Sequence, residues 1–331
     1  MTWAHGSAEV QTLGAMLGPV SLRLDQEREL DVMHVAPWSG TTGAAGLPGM
    51  LRRMRGEWPC VPFGRADRPR DLPDGWRSRF AGDGWAHGFS ANHYWSCLEA
   101  GPTRVHLGID YPEQSPIARM ERIIEADPDA PALTMTLRIW ARSAVRVPAG
   151  LHPTFRIPNV PGRVRIDLGA HEGIFSYPSN PPGAISRLLP DTRSERLQQM
   201  AGVDGVLDLS HLPLAAPSEE LLQVKGLQAS GNAAPFVLRY LDYGAAVGMW
   251  WDRAQLPDLM LWISNGGRVN YPWMSRHLAL GAEPVNSLFD LGRVADAPPD
   301  HPLAGRLGLM LSPERPWQTS YRIAAWQDAA P

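Results

Sequence analysis

Apolar and polar residues alternate in short runs along most of this chain. In "ALTMTLRIW" (132–140), Leu133, Met135, Leu137 and Ile139 fall on one side of an extended backbone, and Thr134, Thr136 and Arg138 on the other. "RVRIDLG" (163–169) does the same, with Val164, Ile166 and Leu168 set against Arg163, Arg165 and Asp167. "TRVHLGID", "PFVLRYLDY", "LMLWIS", "RHLALGA" and "TSYRIAAW" share the pattern. Successive side chains of a strand point to opposite faces, so a period of two predicts strands with one face covered. Many such runs predict an all-β, antiparallel protein whose sheets pack face to face. Helical periodicity is weak. "SEELLQV" (218–224), with Ser218 as a cap, is the best short helix candidate.

The spacing of breakers supports this reading. The chain has 32 glycines and 32 prolines among 331 residues, a density that long helices do not survive. No fixed-period repeat or low-complexity tract occurs. Proline-rich stretches near 177–190 and 297–303 read as long loops, because strand-like runs continue unchanged on both sides. One large domain over residues 1–331 is therefore expected. At this length a fold buries roughly three-quarters of the surface its unfolded chain exposes.

Charge and cysteine content narrow the function classes. The formal net charge is −3, with 20% charged residues, which gives no bulk signature of a nucleic-acid or membrane partner. Lys225 is the only lysine, so a Schiff base would have to form there, in "QVKGLQ". Cys60 and Cys97 are the only cysteines; they form no CxxC, which excludes a cysteine-built zinc site, and both are expected as free thiols. The start lacks a basic, then apolar, leader pattern, and no apolar run approaches a membrane span. A cytoplasmic location is the resulting expectation. Nothing in the pattern sets an oligomeric state.

The chain has no GxSxG, HExxH, P-loop or GxGxxG, so the corresponding hydrolase, metalloprotease and phosphate-cradling chemistries lack their signatures. Arg68, Arg70, Arg77 and Arg79 cluster, but Asp71 and Asp74 interrupt them, which reads as a solvated loop. Thirteen tryptophans supply core mass and, beside polar neighbours, aromatic walls that suit the C–H face of a sugar. Three segments join a titratable residue to turn-forming neighbours: "DGWAHGFSANHYW" (83–95) with His87 and His93, "GLHPTFRIP" (150–158) with His152, and "LALGAEPVNS" (278–287) with Glu283. His152 and Glu283 each precede a proline, which holds the backbone extended and gives the side chain a defined direction.

In order along the chain, these segments resemble those of the aldose 1-epimerase (galactose mutarotase-like) family. "GLHPTFRIP" resembles its His-x-Tyr-Phe-Asn-Leu type segment, "HGFSANHYW" its His-Gly-Phe…Trp segment, and "LALGAEPVN" its late Glu-Pro segment. "GEWPCVPFGR" (56–65) resembles its early proline–glycine–arginine turn. The resemblance spans about residues 34–284. Thr154 stands where the family has an aromatic, Arg156 where asparagine is usual, and Arg65 is not followed by Asn-Arg-Ile. The resemblance implies a large antiparallel β-supersandwich with a sugar cleft, interconversion of α and β anomers of a free or phosphorylated aldose, and no cofactor or metal. It implies Glu283 as general base, His152 as general acid, and His87, Arg65 and Trp95 as sugar-binding residues. Asp204 and Asp208 are the candidates for the family's sugar-binding aspartate.

The chemistry suits these residue types. Anomer exchange takes a proton from the C1 hydroxyl and delivers one to the ring oxygen, and a carboxylate and an imidazole can do both near neutrality. Two alternatives stand beside this reading. One is a non-catalytic carbohydrate-binding module, which needs the aromatic walls and Arg65 but not the His/Glu pair. The other is a glycoside hydrolase or lyase, in which Glu57, Glu99 or Glu172 would approach Glu283 as the second carboxylate.

Overall fold

The computed structural model of the protein describes residues 1–79, 84–181 and 183–328. Two large antiparallel sheets dominate it. The nine-stranded sheet runs in the order His211–Leu212, Val164–Leu168, Phe236–Tyr240, Ala245–Trp251, Trp317–Gln327, Ala132–Ala141, Ile117–Ala126, Arg104–Asp110, Ser96–Ala100. The eight-stranded sheet runs Arg193–Ser194, Gly173–Ser176, Ser218–Lys225, Asp258–Asn265, Leu278–Asn286, Ala149–Leu151, Pro59–Cys60, and Thr154–Arg156 also pairs with Leu278–Asn286. A four-stranded sheet from Thr2 to Asp31 adds its apolar side to the same core. The all-β expectation holds: the only α-helix among the described residues is the five-residue Gly88–Asn92.

The two large sheets bury a shared apolar layer. The nine-stranded sheet contributes Leu133, Met135, Leu137, Ile139, Val247 and Ile323, and the eight-stranded sheet Leu222, Leu259, Leu261, Ile263 and Leu280. The alternation read from "ALTMTLRIW" is real: Leu133 to Ile139 point inward, while Thr136 bonds Ser320 across the strands (2.8 Å) and Arg138 bonds Gln318 (2.8 Å) on the solvent side. A buried ion pair enters this layer. Arg122 from the nine-stranded sheet is buried against the carboxylate of Glu57, and burial pushes its guanidinium down to about 10.

The expected helix at 218–224 is instead the strand Ser218–Lys225, paired with both Gly173–Ser176 and Asp258–Asn265. The misreading has a physical cause. Both faces of this sheet are buried: Leu222 and Val224 face the shared core, while Glu219, Leu221 and Gln223 face the other way into a second cluster. A strand dry on both sides loses its alternation. That second cluster, with Met50, Met54, Trp58, Phe63, Tyr177, Trp262 and Phe289, covers the far face of the sheet and surrounds a cavity.

Candidate active site

Strand register brings His152 and Glu283 together. Gly150 pairs with Val285, and Thr154 pairs with Gly281. Counting inward from both pairs sets His152 opposite Glu283, on the face that carries the cavity. Directly opposed residues of antiparallel strands have neighbouring side chains. His152 Nε2 lies 3.3 Å from Glu283 Oε1, and both residues are more than 95% buried. Pro153 has no N–H and leaves the ladder, but its carbonyl accepts from Ala282 N (2.9 Å), which ties the turn to the Glu283 strand. Gly281 makes room for the carboxylate: a Cβ there would stand 2.6 Å from Glu283 Oε1.

The imidazole is fixed on each side. Trp58 stacks on it, with ring centroids 4.1 Å apart, and the Trp58 carbonyl accepts from His152 N (3.0 Å). Thr154 Oγ1 lies 3.2 Å from Nδ1 and itself donates to the His152 carbonyl at 3.5 Å. Its oxygen therefore accepts from Nδ1–H, and the Nε2 lone pair faces Glu283. Burial pushes the Glu283 carboxyl well up, and the nearby Asp290 adds to this. Burial also pushes His152 well down, helped by His87. Burial therefore favours the neutral form of each group. Both groups are biased toward reaction: the carboxylate is a stronger base than usual and the imidazolium a stronger acid.

The cavity above them has a volume of about 480 Å³, in the range of small-molecule sites. Trp58, Trp85, Trp262 and Trp273 supply aromatic surface. His87 lies edge-on to His152 (4.9 Å), at the left-handed φ of 57° that starts the short helix. Its buried Nδ1 lacks a hydrogen bond, and burial, with Arg293 and Arg268 nearby, pushes it down to about 3, so it is neutral at physiological pH. Arg65 pairs with Asp67, and its N–H donates to the Asp290 carbonyl (2.9 Å). Arg268 lies over Trp273 (4.5 Å) and pairs with Glu219 (2.8 Å). Glu219 also accepts from Trp262 Nε1 (2.5 Å) and Ser264 Oγ (2.9 Å).

Four of the six residues expected at the site, His152, Glu283, His87 and Arg65, thus line one cavity. Two do not. Trp95 is 3% exposed within the core between the sheets, its Nε1–H donating to the Ser90 carbonyl; the tryptophan of this segment that lines the cavity is Trp85, ahead of the short helix. Asp204 sits between the short strands Met200–Gly202 and Gly205–Leu207, 84% exposed and near Arg187, where it can reach no enclosed ligand. Asp208 is likewise outside the cavity, accepting from Ser210. The acids required by the hydrolase alternative are elsewhere too: Glu57 is locked to Arg122, Glu99 pairs with Arg104, and Glu172 pairs with Lys225 (2.6 Å). Asp290, Tyr177, Arg268 and Trp262 line the cavity without having been singled out from sequence. No local signal marks them; they arrive from separate elements.

No protein-family model matches this chain, and no curated protein matches it. Solved structures do. An aldose epimerase homologue from C. elegans superposes with a TM-score of 0.65 at 10% identity, over 99% of this chain and 98% of that one. A galactose mutarotase related enzyme from Lactobacillus acidophilus gives 0.59 at 15% identity, over 98% and 96%. A galactose mutarotase-like protein from Lactobacillus casei gives 0.59 at 12% identity, over 98% and 99%. The fold is therefore of the galactose mutarotase type across nearly the whole chain.

Proposed function

We propose that this protein is an aldose 1-epimerase-like isomerase that interconverts the α and β anomers of an aldose by acid–base catalysis. The observation that carries this reading is the His152–Glu283 pair, set opposite each other by strand register at the floor of an aromatic-walled cavity. O1 and O5 of a pyranose share one carbon, so an acid and a base side by side can serve both. Sugar hydroxyls entering the pair would favour its charged form. Glu283 then takes the O1 proton while His152 donates its proton to O5. The C1–O5 bond breaks, leaving an aldehyde at C1 and a hydroxyl at C5. Rotation about C1–C2 and the reverse transfers close the ring on the other face and restore the pair. No group outside the chain is consumed. Both guanidiniums facing the cavity, Arg65 and Arg268, already have carboxylate partners, which favours an unphosphorylated aldose.

The test is anomer exchange, followed by polarimetry on freshly dissolved α-glucose and α-galactose and by NMR exchange on a panel of reducing sugars. His152→Asn and Glu283→Gln are each expected to lower the rate by roughly 10²- to 10⁴-fold while the folded state persists by circular dichroism. Unchanged rates in both variants would remove the assignment. Saturable sugar binding without exchange would instead identify a binding module.

A further inference from the structure

Asp290 lines the cavity together with Glu283 and Asp67, and the fold goes to unusual lengths to place it. It sits in the single turn Phe289–Leu291, after the strand that carries Glu283. Phe289, immediately before it, has φ of 46°. A bulky residue in the left-handed region costs on the order of 1–3 kcal/mol and persists only where its surroundings enforce it.

The surroundings can be named. Gln223 is fully buried in the middle of the strand Ser218–Lys225. Its Oε1 accepts from Phe289 N (2.6 Å), and its Nε2 donates to the Ser287 carbonyl (3.0 Å). One side-chain amide thus pins both ends of the turn. Nε2 also donates to Asp258 Oδ2 (2.7 Å), and Asp258, itself fully buried, is held by a two-pronged contact from Arg306 (2.7 and 3.0 Å). On the other side the Phe289 ring packs edge-on against Tyr177. Gly64, at φ of 100°, lets the chain approach the Asp290 carbonyl, which a side chain there would strike. Tyr177 Oη donates to Asp290 Oδ1 (2.7 Å). Among the described residues nothing donates to Oδ2.

We propose that Asp290 is a sugar-hydroxyl acceptor of this site, and that Gln223, backed by Asp258 and Arg306, is a positioning residue that aims it by enforcing the strained turn at Phe289. This rests on the reading of the cavity as an aldose site. Tyr177 occupies one carboxylate oxygen and orients it, and the other is left for a hydroxyl donor. The resemblance offered Asp204 and Asp208 as candidates for a sugar-binding aspartate; neither lines the cavity, whereas Asp290 does.

The probes are glucose, galactose and xylose, with turnover measured by NMR exchange and affinity by calorimetry. Asp290→Asn keeps the Tyr177 contact but removes the charge. It is expected to raise KM and Kd together by roughly 10- to 100-fold, the usual range for a lost charged acceptor, with kcat changed less than about 3-fold. Gln223→Met should raise KM in the same sense with kcat held. The double variant should be no worse in KM than Asp290→Asn alone, because one residue acts through the other. If Gln223→Met does not fold, Asp258→Asn takes its place in the same cycle. KM and Kd within 2-fold of wild type in Asp290→Asn would overturn the assignment, and multiplying effects in the double variant would overturn the positioning role. If the wild type binds an aldose without exchanging it, the isomerase reading fails and Kd alone still judges Asp290. If none of the three sugars binds the wild type, the inference about Asp290 fails as well.

Discussion

The solvent face of the nine-stranded sheet and the cavity face of the eight-stranded sheet both carry rows of polar side chains on antiparallel strands. On the first, Arg104 pairs with Glu125 (3.3 Å), Arg119 with Asp110 (2.9 Å) and Arg322 with Asp127 (2.7 Å), all at least partly in water. On the second, one row across the sheet reads Gln223, Met260, Glu283 and His152, and two rows further along the same face Glu219 stands opposite Ser264. The cross-strand geometry is the same; the solvent is not. In water such pairs contribute about 0–1 kcal/mol. Enclosed, the same residue types must be partnered or change protonation. Glu219, Glu283 and Asp290 are all pushed up, with burial the leading cause in each. These shifts come from the covering of a sheet face by the segments around Met50 and Trp58, more than from any special residue.

This contrast can be tested by substitutions on each face. The largest effect is expected at Glu219, which satisfies Trp262, Ser264 and Arg268 together. Glu219→Leu would leave the Trp262 and Ser264 donors without their acceptor and the Arg268 guanidinium without its counter-charge, and cost about 3 kcal/mol in denaturant unfolding. A loss under about 1 kcal/mol would mean that the cavity face behaves like the solvent face. Next comes Gly281→Ala, which adds one methyl group against the Glu283 carboxylate. It is expected to slow anomer exchange by roughly 10- to 100-fold through misplacement, with a thermal midpoint close to wild type. An unaffected rate would show that the carboxylate has room to spare. The smallest effect belongs to Arg138→Ala on the solvent face, expected within about 0.5 kcal/mol of wild type and without effect on exchange.

The same contrast explains what could be read in the sequence. Strands such as Ala132–Ala141 were legible because water on one side enforces alternation. Ser218–Lys225 was not, because Glu219 and Glu220 are both buried and face opposite ways; Glu220 accepts from the Arg187 N–H (2.6 Å) and Ser186 Oγ (2.8 Å) on its own side. His152 and Glu283 were legible because each precedes a proline within a recognisable segment, and Arg65 and His87 because their turns are glycine-marked. Trp95 failed because nothing in "HGFSANHYW" tells which of its aromatics turns inward. Asp290 carries no local mark: "SLFDLG" becomes meaningful only once Gln223, 66 residues earlier, holds its backbone.

The strand Ser218–Lys225 also bears on how this chain can change over generations. A sheet without a wet side offers almost no neutral positions in its middle strands. Replacements there are screened on both sides, by what packs behind the sheet and by the cavity cluster in front of it. Lineages are then expected to drift quickly along the exposed rows of the partner sheet and slowly here. A directed-evolution library aimed at the cavity would gain most from segments 48–54 and 84–87, which border it without backing onto the layer between the sheets.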